Sequence, residues 1–349
     1  MKKILVASSA LVAVGFAGAA QASEPISLSV GGYMEQWIGA VDEDTRAAGG
    51  AKNAFQSDTE IHFSGSTTLD NGIEVGAKIE LEGEEAAGAQ VDEQYLFING
   101  GFGQVKLGQE DGAAADMSIT APSVGPAGVN DGDAPNYANM TGAVADNVWD
   151  DGDAKKLTYY TPVIGGFRAG ASYTMDSTSE HDDDANAGDA VVSAGVEYRA
   201  DFDGVSLAVA ATGENKGEGN WYHVGGTVGF GNFTVGTSYG EKDADYGFGD
   251  NAITTEDDDM GWDLGASYAM DAATVSLTYM YSEIGVDSTT AATTGANEVN
   301  TVDLGLAYTL GAGVTWKSSV FWFDIDRAAT DGAADNEGFG AITGLALSF

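Results

Sequence analysis

The chain has 349 residues, with 54 acidic against 14 basic side chains and a formal net charge of −40. A field of that sign repels nucleic acid and attracts cations, which excludes a nucleic-acid partner. With no Cys, 50 Gly and only five Pro, the fold gets no help from disulfides, and the absence of helical periodicity points to strands and turns.

The first 22 residues read as a signal peptide. Lys2 and Lys3 precede an apolar run from Ile4 to Ala20, and Ala20-Gln21-Ala22 places small residues at a cleavage site. Cleavage removes two bases and takes the net charge from −40 to −42. No later segment supplies the ~18 uninterrupted apolar residues of a spanning helix. Residues 23–349 are therefore the exported body of the protein.

From Ile26 the chain alternates, with Ile26, Leu28, Val30, Met34 and Ile38 on one face and Ser27, Ser29, Tyr33 and Glu35 on the other. That period of two predicts a strand with one apolar face. A strand at 59–69 enters the turn signal Asp70-Asn71-Gly72, after which Val75, Ala77, Ile79 and Leu81 alternate with Glu74, Lys78, Glu80 and Glu82. The same pattern recurs at 90–99, 104–109, 155–161, 167–175, 190–199, 205–212, 221–230, 233–241, 260–270, 273–283, 299–310, 314–325 and 338–349, giving sixteen strands. Both faces of 314–325 are apolar, so its orientation stays open.

Seven short turns alternate with eight longer, acid-rich loops. A soluble sandwich has no reason to sort its connections this way, whereas a membrane β-barrel keeps short turns on the periplasmic side and long loops outside. Strands of about 9–11 residues are the length that crosses a bilayer at a tilt. Aromatics near strand ends (Tyr173, Tyr198, Phe230, Phe233, Tyr239, Tyr268, Tyr279, Tyr281 and Tyr308) fit two interfacial girdles. The expected fold is all-β: a 16-stranded antiparallel transmembrane barrel in the outer membrane of a Gram-negative cell, in contact with lipid and lipopolysaccharide.

One stretch obeys neither period. Residues 110–153 carry nine carboxylates, and no Lys or Arg occurs between Lys106 and Lys155. Connections this long inside a compact fold are uncommon and usually functional.

Several runs resemble Gram-negative porins of the alphaproteobacterial, Rhodobacter type: Lys156 to Pro162 (KLTYYTP), Gly166 to Thr174 (GFRAGASYT), Asp92 to Asn99 (DEQYLFIN) into Gly101 to Gly103, and Glu110 to Ala113, Ala121 to Gly125 and Asn130 to Asp133. The final Phe349 matches the assembly signal of such barrels. The resemblance implies a homotrimer of sixteen-stranded barrels whose third outer loop, here 110–153, folds inward and constricts a water-filled channel for small hydrophilic solutes. It also implies a cluster of bases opposite that loop. By strand parity this chain offers only Lys78, Lys106, Lys156, Arg168 and Arg199, with Lys317 unassigned, so the expected preference is for cations. Asp116, Asp131, Asp133 and Asp146 are the expected acidic lining.

No cofactor is required by this reading. Asn130 to Asp133 and Asp150 to Asp153 set carboxylates two apart around a Gly, so Asp131, Asp133, Asp151 and Asp153 are candidates for Ca²⁺. A sugar-specific channel is the first alternative, with Tyr33, Trp37, Tyr160 and Trp221 at inward parity. The second is an outer-membrane barrel enzyme. Its histidines would be His62, His181 and His223, but the chain holds no Gly-x-Ser-x-Gly elbow and no legible triad.

Overall fold

The computed structural model describes residues 25–46, 52–83, 90–130, 133–140, 142–175, 189–247, 257–286, 295–328 and 333–349. The signal segment, Asp131 and His181 lie outside the described residues.

Sixteen strands form one closed barrel: β1 (Ser29–Glu43), β2 (Asn53–Thr68), β3 (Glu74–Glu82), β4 (Val91–Gly100), β5 (Gly103–Gln109), β6 (Lys155–Tyr160), β7 (Phe167–Thr174), β8 (Val191–Phe202), β9 (Val205–Lys216), β10 (Gly219–Phe230), β11 (Phe233–Lys242), β12 (Asp259–Met270), β13 (Ala273–Gly285), β14 (Ala296–Gly311), β15 (Val314–Asp326) and β16 (Asn336–Ser348). Each strand pairs antiparallel with its sequence neighbours. The ring closes where β1 meets β16, with Met34 opposite Leu347 and reciprocal backbone bonds between Gly32 and Phe349.

Alternation decides which face points where. Leu157, Val192, Val196, Val224, Leu264, Leu277, Leu304 and Val320 are exposed, while the residues between them, such as Thr158, Ser193, Asp263, Ser276 and Thr301, are buried. An exposed apolar belt around a closed polar interior suits lipid outside. Aromatic rings cap the belt at both ends in register. Phe230, Phe233 and Tyr268 stack near the short turns at 5.6 and 4.4 Å, and Trp262 meets Tyr279 at 5.1 Å near the long-loop ends. On β11, Phe233 and Tyr239 stand ~20 Å apart along the strand at ~3.3 Å per residue, which a tilt of ~35–45° shortens to ~15 Å across the membrane, within the ~25 Å of such a belt.

Three local readings change. The strands run further at their outer ends than alternation alone indicates, as in β2, which starts at Asn53 rather than 59. The expected acid-rich loop at 213–220 is a tight connection, because Gly217 takes φ +61° and lets β9 and β10 pair up to Lys216 and Gly219. β15 sends Trp316 and Val320 outward and Phe321, Phe323 and Ile325 inward, where they pack in an apolar cluster with Val129, Tyr137 and Met140.

Candidate functional site

Residues 110–153 have few ladder partners of their own, so their backbone donors must be satisfied elsewhere. The wall supplies them. The N–H of Ala113 donates to Ser172 Oγ (3.1 Å), Ala114 to Ser193 Oγ (2.7 Å), Val124 to Ser276 Oγ (3.1 Å) and Ala127 to Ser319 Oγ (3.1 Å). The central anchor is Asp263 on β12, fully buried, whose carboxylate accepts Ala121 N–H (2.9 Å), Asn130 Nδ2 (3.0 Å) and Ser238 Oγ (2.7 Å). Glycines let the two backbones touch: a Cβ on Gly225 would lie 1.8 Å from Ile119 O, and one on Gly240 would lie 1.9 Å from Asn147 O. Short α1 (Ala113–Met117) and a 3-10 turn (Ala134–Asn136) are the segment's only described regular structure.

The expected acidic lining falls in different surroundings. Asp116 accepts the Tyr160 hydroxyl at 2.7 Å. Asp133 is exposed and lines a hollow of about 400 Å³ with Glu35, Trp37, Gln56, Asp58, Tyr137 and Lys317. Asp146 accepts the backbone N–H of Asn147 (2.7 Å) and Val148 (3.1 Å), and burial pushes its carboxyl up to about 6. It lines a separate hollow beside Trp149, Asp259 and Glu283.

Of the calcium candidates, Asp133 is the exposed residue just described, and Asp151 accepts Thr174 Oγ1 and faces the Lys156 ammonium at 3.4 Å. Asp153 gathers with Glu93 and Asp111, one oxygen of each within 4.8 Å of the others. Burial, then the charges of Asp92 and Glu93, pushes Asp153 up to about 6. Asp111 is pushed to about 7 by the surrounding protein and by Asp150 and Asp153, although its contact with solvent screens part of that push.

Every base assigned to the wall meets a carboxylate. Lys78 pairs with Glu80, Lys106 with Glu110 at 2.5 Å, Arg168 and Arg199 with Glu197 at 2.7 and 2.8 Å, and Lys317 with Glu35 at 3.1 Å. Lys156, almost wholly buried, holds Asp151 together with the Gly152 and Glu110 carbonyls. Lys216 and Lys242 also sit at inward parity, Lys242 against Asp259 at 2.5 Å and over the Trp149 ring. Extending the alternation of β9 and β11 to their ends would have found them. The docking residues Asp263, Gly225 and Gly240 were missed because a small or acidic inward residue reads equally well as water-lined wall.

Among the histidines, His62 lies between Glu60 and Glu80. His223 is buried, with neither ring nitrogen bonded.

Comparison with known proteins agrees with this architecture. A family model described as Gram-negative porin matches residues 7–327. The monosaccharide porin of a Halomonas species is 25% identical over 329 residues, covering 85% of this chain and 84% of that one. The anion-selective porin from Comamonas acidovorans superposes with a TM-score of 0.65 at 16% identity, covering 93% of this chain and 100% of that one. The trimer form of OmpT from Vibrio cholerae gives 0.63 at 12%, with the same coverage. Family and fold together point to a channel rather than an enzyme, and the chain belongs to the Gram-negative porin family as a channel of the outer membrane.

Proposed function

We propose that residues 110–153 fold into the lumen and narrow it, leaving a passage that admits small hydrophilic solutes by passive diffusion and prefers cations. The hydrogen bonds from this segment to inward side chains of β7, β8, β12, β13 and β15 support the constriction. The preference rests on one observation: each named wall base is already matched by a carboxylate, so the surplus acids set the field. Low-dielectric walls concentrate such a one-sign field. Fold does not decide the sign, since a structural neighbour of the same architecture is described as anion-selective.

The hollow beside Glu35, Asp58 and Asp133 is the narrow passage of this reading. Its amides and carboxylates also suit sugar hydroxyls, and the Halomonas relative's description makes monosaccharide-sized solutes the natural test set. The unit of function is a homotrimer on this reading, as in the trimeric neighbour.

The experiment is a planar bilayer holding the purified protein across a KCl gradient, with liposome swelling in sugars of graded size as its second readout. The expected reversal potential has the sign of cation flow, and swelling falls smoothly with sugar size. A reversal potential of anionic sign overturns the preference, and one sugar passing out of size order replaces general diffusion with a specific site.

A further inference from the structure

Away from the docked segment, the inner faces of β2 and β3 hold a group of side chains that conduction does not explain. Glu60 and His62 stand two apart on β2 and so share a face, and the register places Glu80 of β3 directly opposite His62. His62 Nε2 lies 2.6 Å from Glu60 Oε2 and 3.5 Å from Glu80 Oε2. One nitrogen and two carboxylate oxygens therefore converge on one point, all within 4.8 Å of one another.

The remaining oxygens are held elsewhere. The Tyr33 hydroxyl donates to Glu60 Oε1 at 2.7 Å, and the Lys78 ammonium takes Glu80 Oε1. The Tyr33 ring also stands edge-on to the imidazole, with centroids 6.0 Å apart. Each carboxylate thus has one oxygen tied back and the other presented to the histidine. Outer partners of this kind orient metal ligands.

We propose that Glu60, His62 and Glu80 form a binding site for a single divalent transition-metal ion of the Zn²⁺ class on the channel wall. A His with two carboxylates and an open fourth position suits Zn²⁺, while an imidazole ligand disfavours Mg²⁺ and Ca²⁺. Metal–ligand bonds of ~2.0–2.1 Å place neighbouring ligand atoms ~3.3 Å apart in a tetrahedron. The His62–Glu80 spacing is already close to that, and the shorter His62–Glu60 contact opens by a side-chain torsion of Glu60. The ligand side chains keep between 8% and 26% of their exposure, so an ion can reach them from the lumen. Glu82 and Asp92 beside Glu60 add negative charge that draws the ion in.

The site stands on the barrel register, whereas an effect on conduction rests also on the channel reading, so two measurements separate them. Calorimetric titration of the folded full chain in detergent with ZnCl₂ is expected to show a binding step that H62N and E80Q each weaken by at least about tenfold and that excess Mg²⁺ does not compete away. In bilayers, micromolar Zn²⁺ is expected to reduce the wild-type current and to leave the H62N current unchanged. Heat-modifiable migration on gels confirms that each variant is folded, and E80Q serves where H62N is not. Binding that survives in both variants, competition by Mg²⁺, or no Zn²⁺ uptake at all overturns the proposal. Uptake without an effect on current upholds the site and counts against its place on the conduction path.

Discussion

Two arcs of the same wall face the interior and differ in the side chains they present to it. From β7 to β15 many of the inward positions against residues 110–153 are small or hydroxylated: Ser172, Ser193, Thr212, Gly225, Ser238, Gly240, Ser276 and Ser319, among larger ones such as Glu214, Trp221 and Phe321. From β1 to β3 many are long and polar or charged: Tyr33, Glu35, Glu60, His62, Lys78 and Glu80, beside Trp37, Gly39 and Val41 of β1. The first arc makes short bonds to the backbone of 110–153, and the second bonds within itself on β2 and β3 and reaches that segment through Glu43 and Gln56. Inward parity therefore does not mean water-lined. Close approach of an irregular backbone demands small side chains and hydroxyl acceptors, because every buried N–H must find a partner. Long charged side chains are tolerated where space remains.

The largest expected break in that comparison is Asp263→Ala. It strips a buried acceptor from Ala121 N–H, the Asn130 amide and the Ser238 hydroxyl. Bonds to a charged acceptor contribute about 1.5–3 kcal/mol each and do not add fully, so the loss should reach about 4 kcal/mol. Lower thermal stability and larger, noisier single-channel currents are expected. A variant with wild-type current and melting temperature would refute docking through this residue.

Glu35→Gln, on the other arc, should do the reverse. It releases Lys317 from its partner at 3.1 Å beside the hollow, so the reversal potential should move toward anions. Stability should change by less than about 1 kcal/mol, as for a partly exposed pair. An unchanged reversal potential would place the conducting path away from this hollow.

The smallest effect is that of pH. Asp111 at about 7 and Asp153 at about 6 are raised above the ordinary carboxylate value, so the folded state favours their protonated forms. Their contribution to stability is present at low pH and is lost as pH rises through about 6–7. The folded chain should therefore melt slightly higher at pH 5 than at pH 8 from this source, with weaker cation preference at pH 5. The double variant Asp111→Asn with Asp153→Asn should shrink both differences, and a difference of full size in that variant would assign it to other groups.

The strands were legible because period two and tight-turn residues are local signals that the closed sheet reinforces. Asp203 and Gly204, with φ of 48° and 90°, make a two-residue turn where sequence alone left a four-residue gap. β15 was ambiguous for a physical reason: Phe321, Phe323 and Ile325 face a packed apolar cluster inside, while Val320 faces outward. The expected bases could be placed by parity, but their pairing could not, since Glu197 serves both Arg168 and Arg199 through side-chain geometry. The convergence at His62 depends on β2–β3 register, which alternation along a single strand does not fix.

The seam between β1 and β16 bears on how the chain reaches this state. Gly32 and Phe349 exchange backbone bonds across nearly the whole length of the sequence. Until that pairing forms, the sheet keeps two raw edges, and each unmet backbone group costs several kcal/mol in hydrocarbon. A partly assembled sheet can therefore shelter at the membrane surface but cannot cross. Closure of the ring and entry into the bilayer become one cooperative event, gated by the contact most distant in sequence and so the slowest to find.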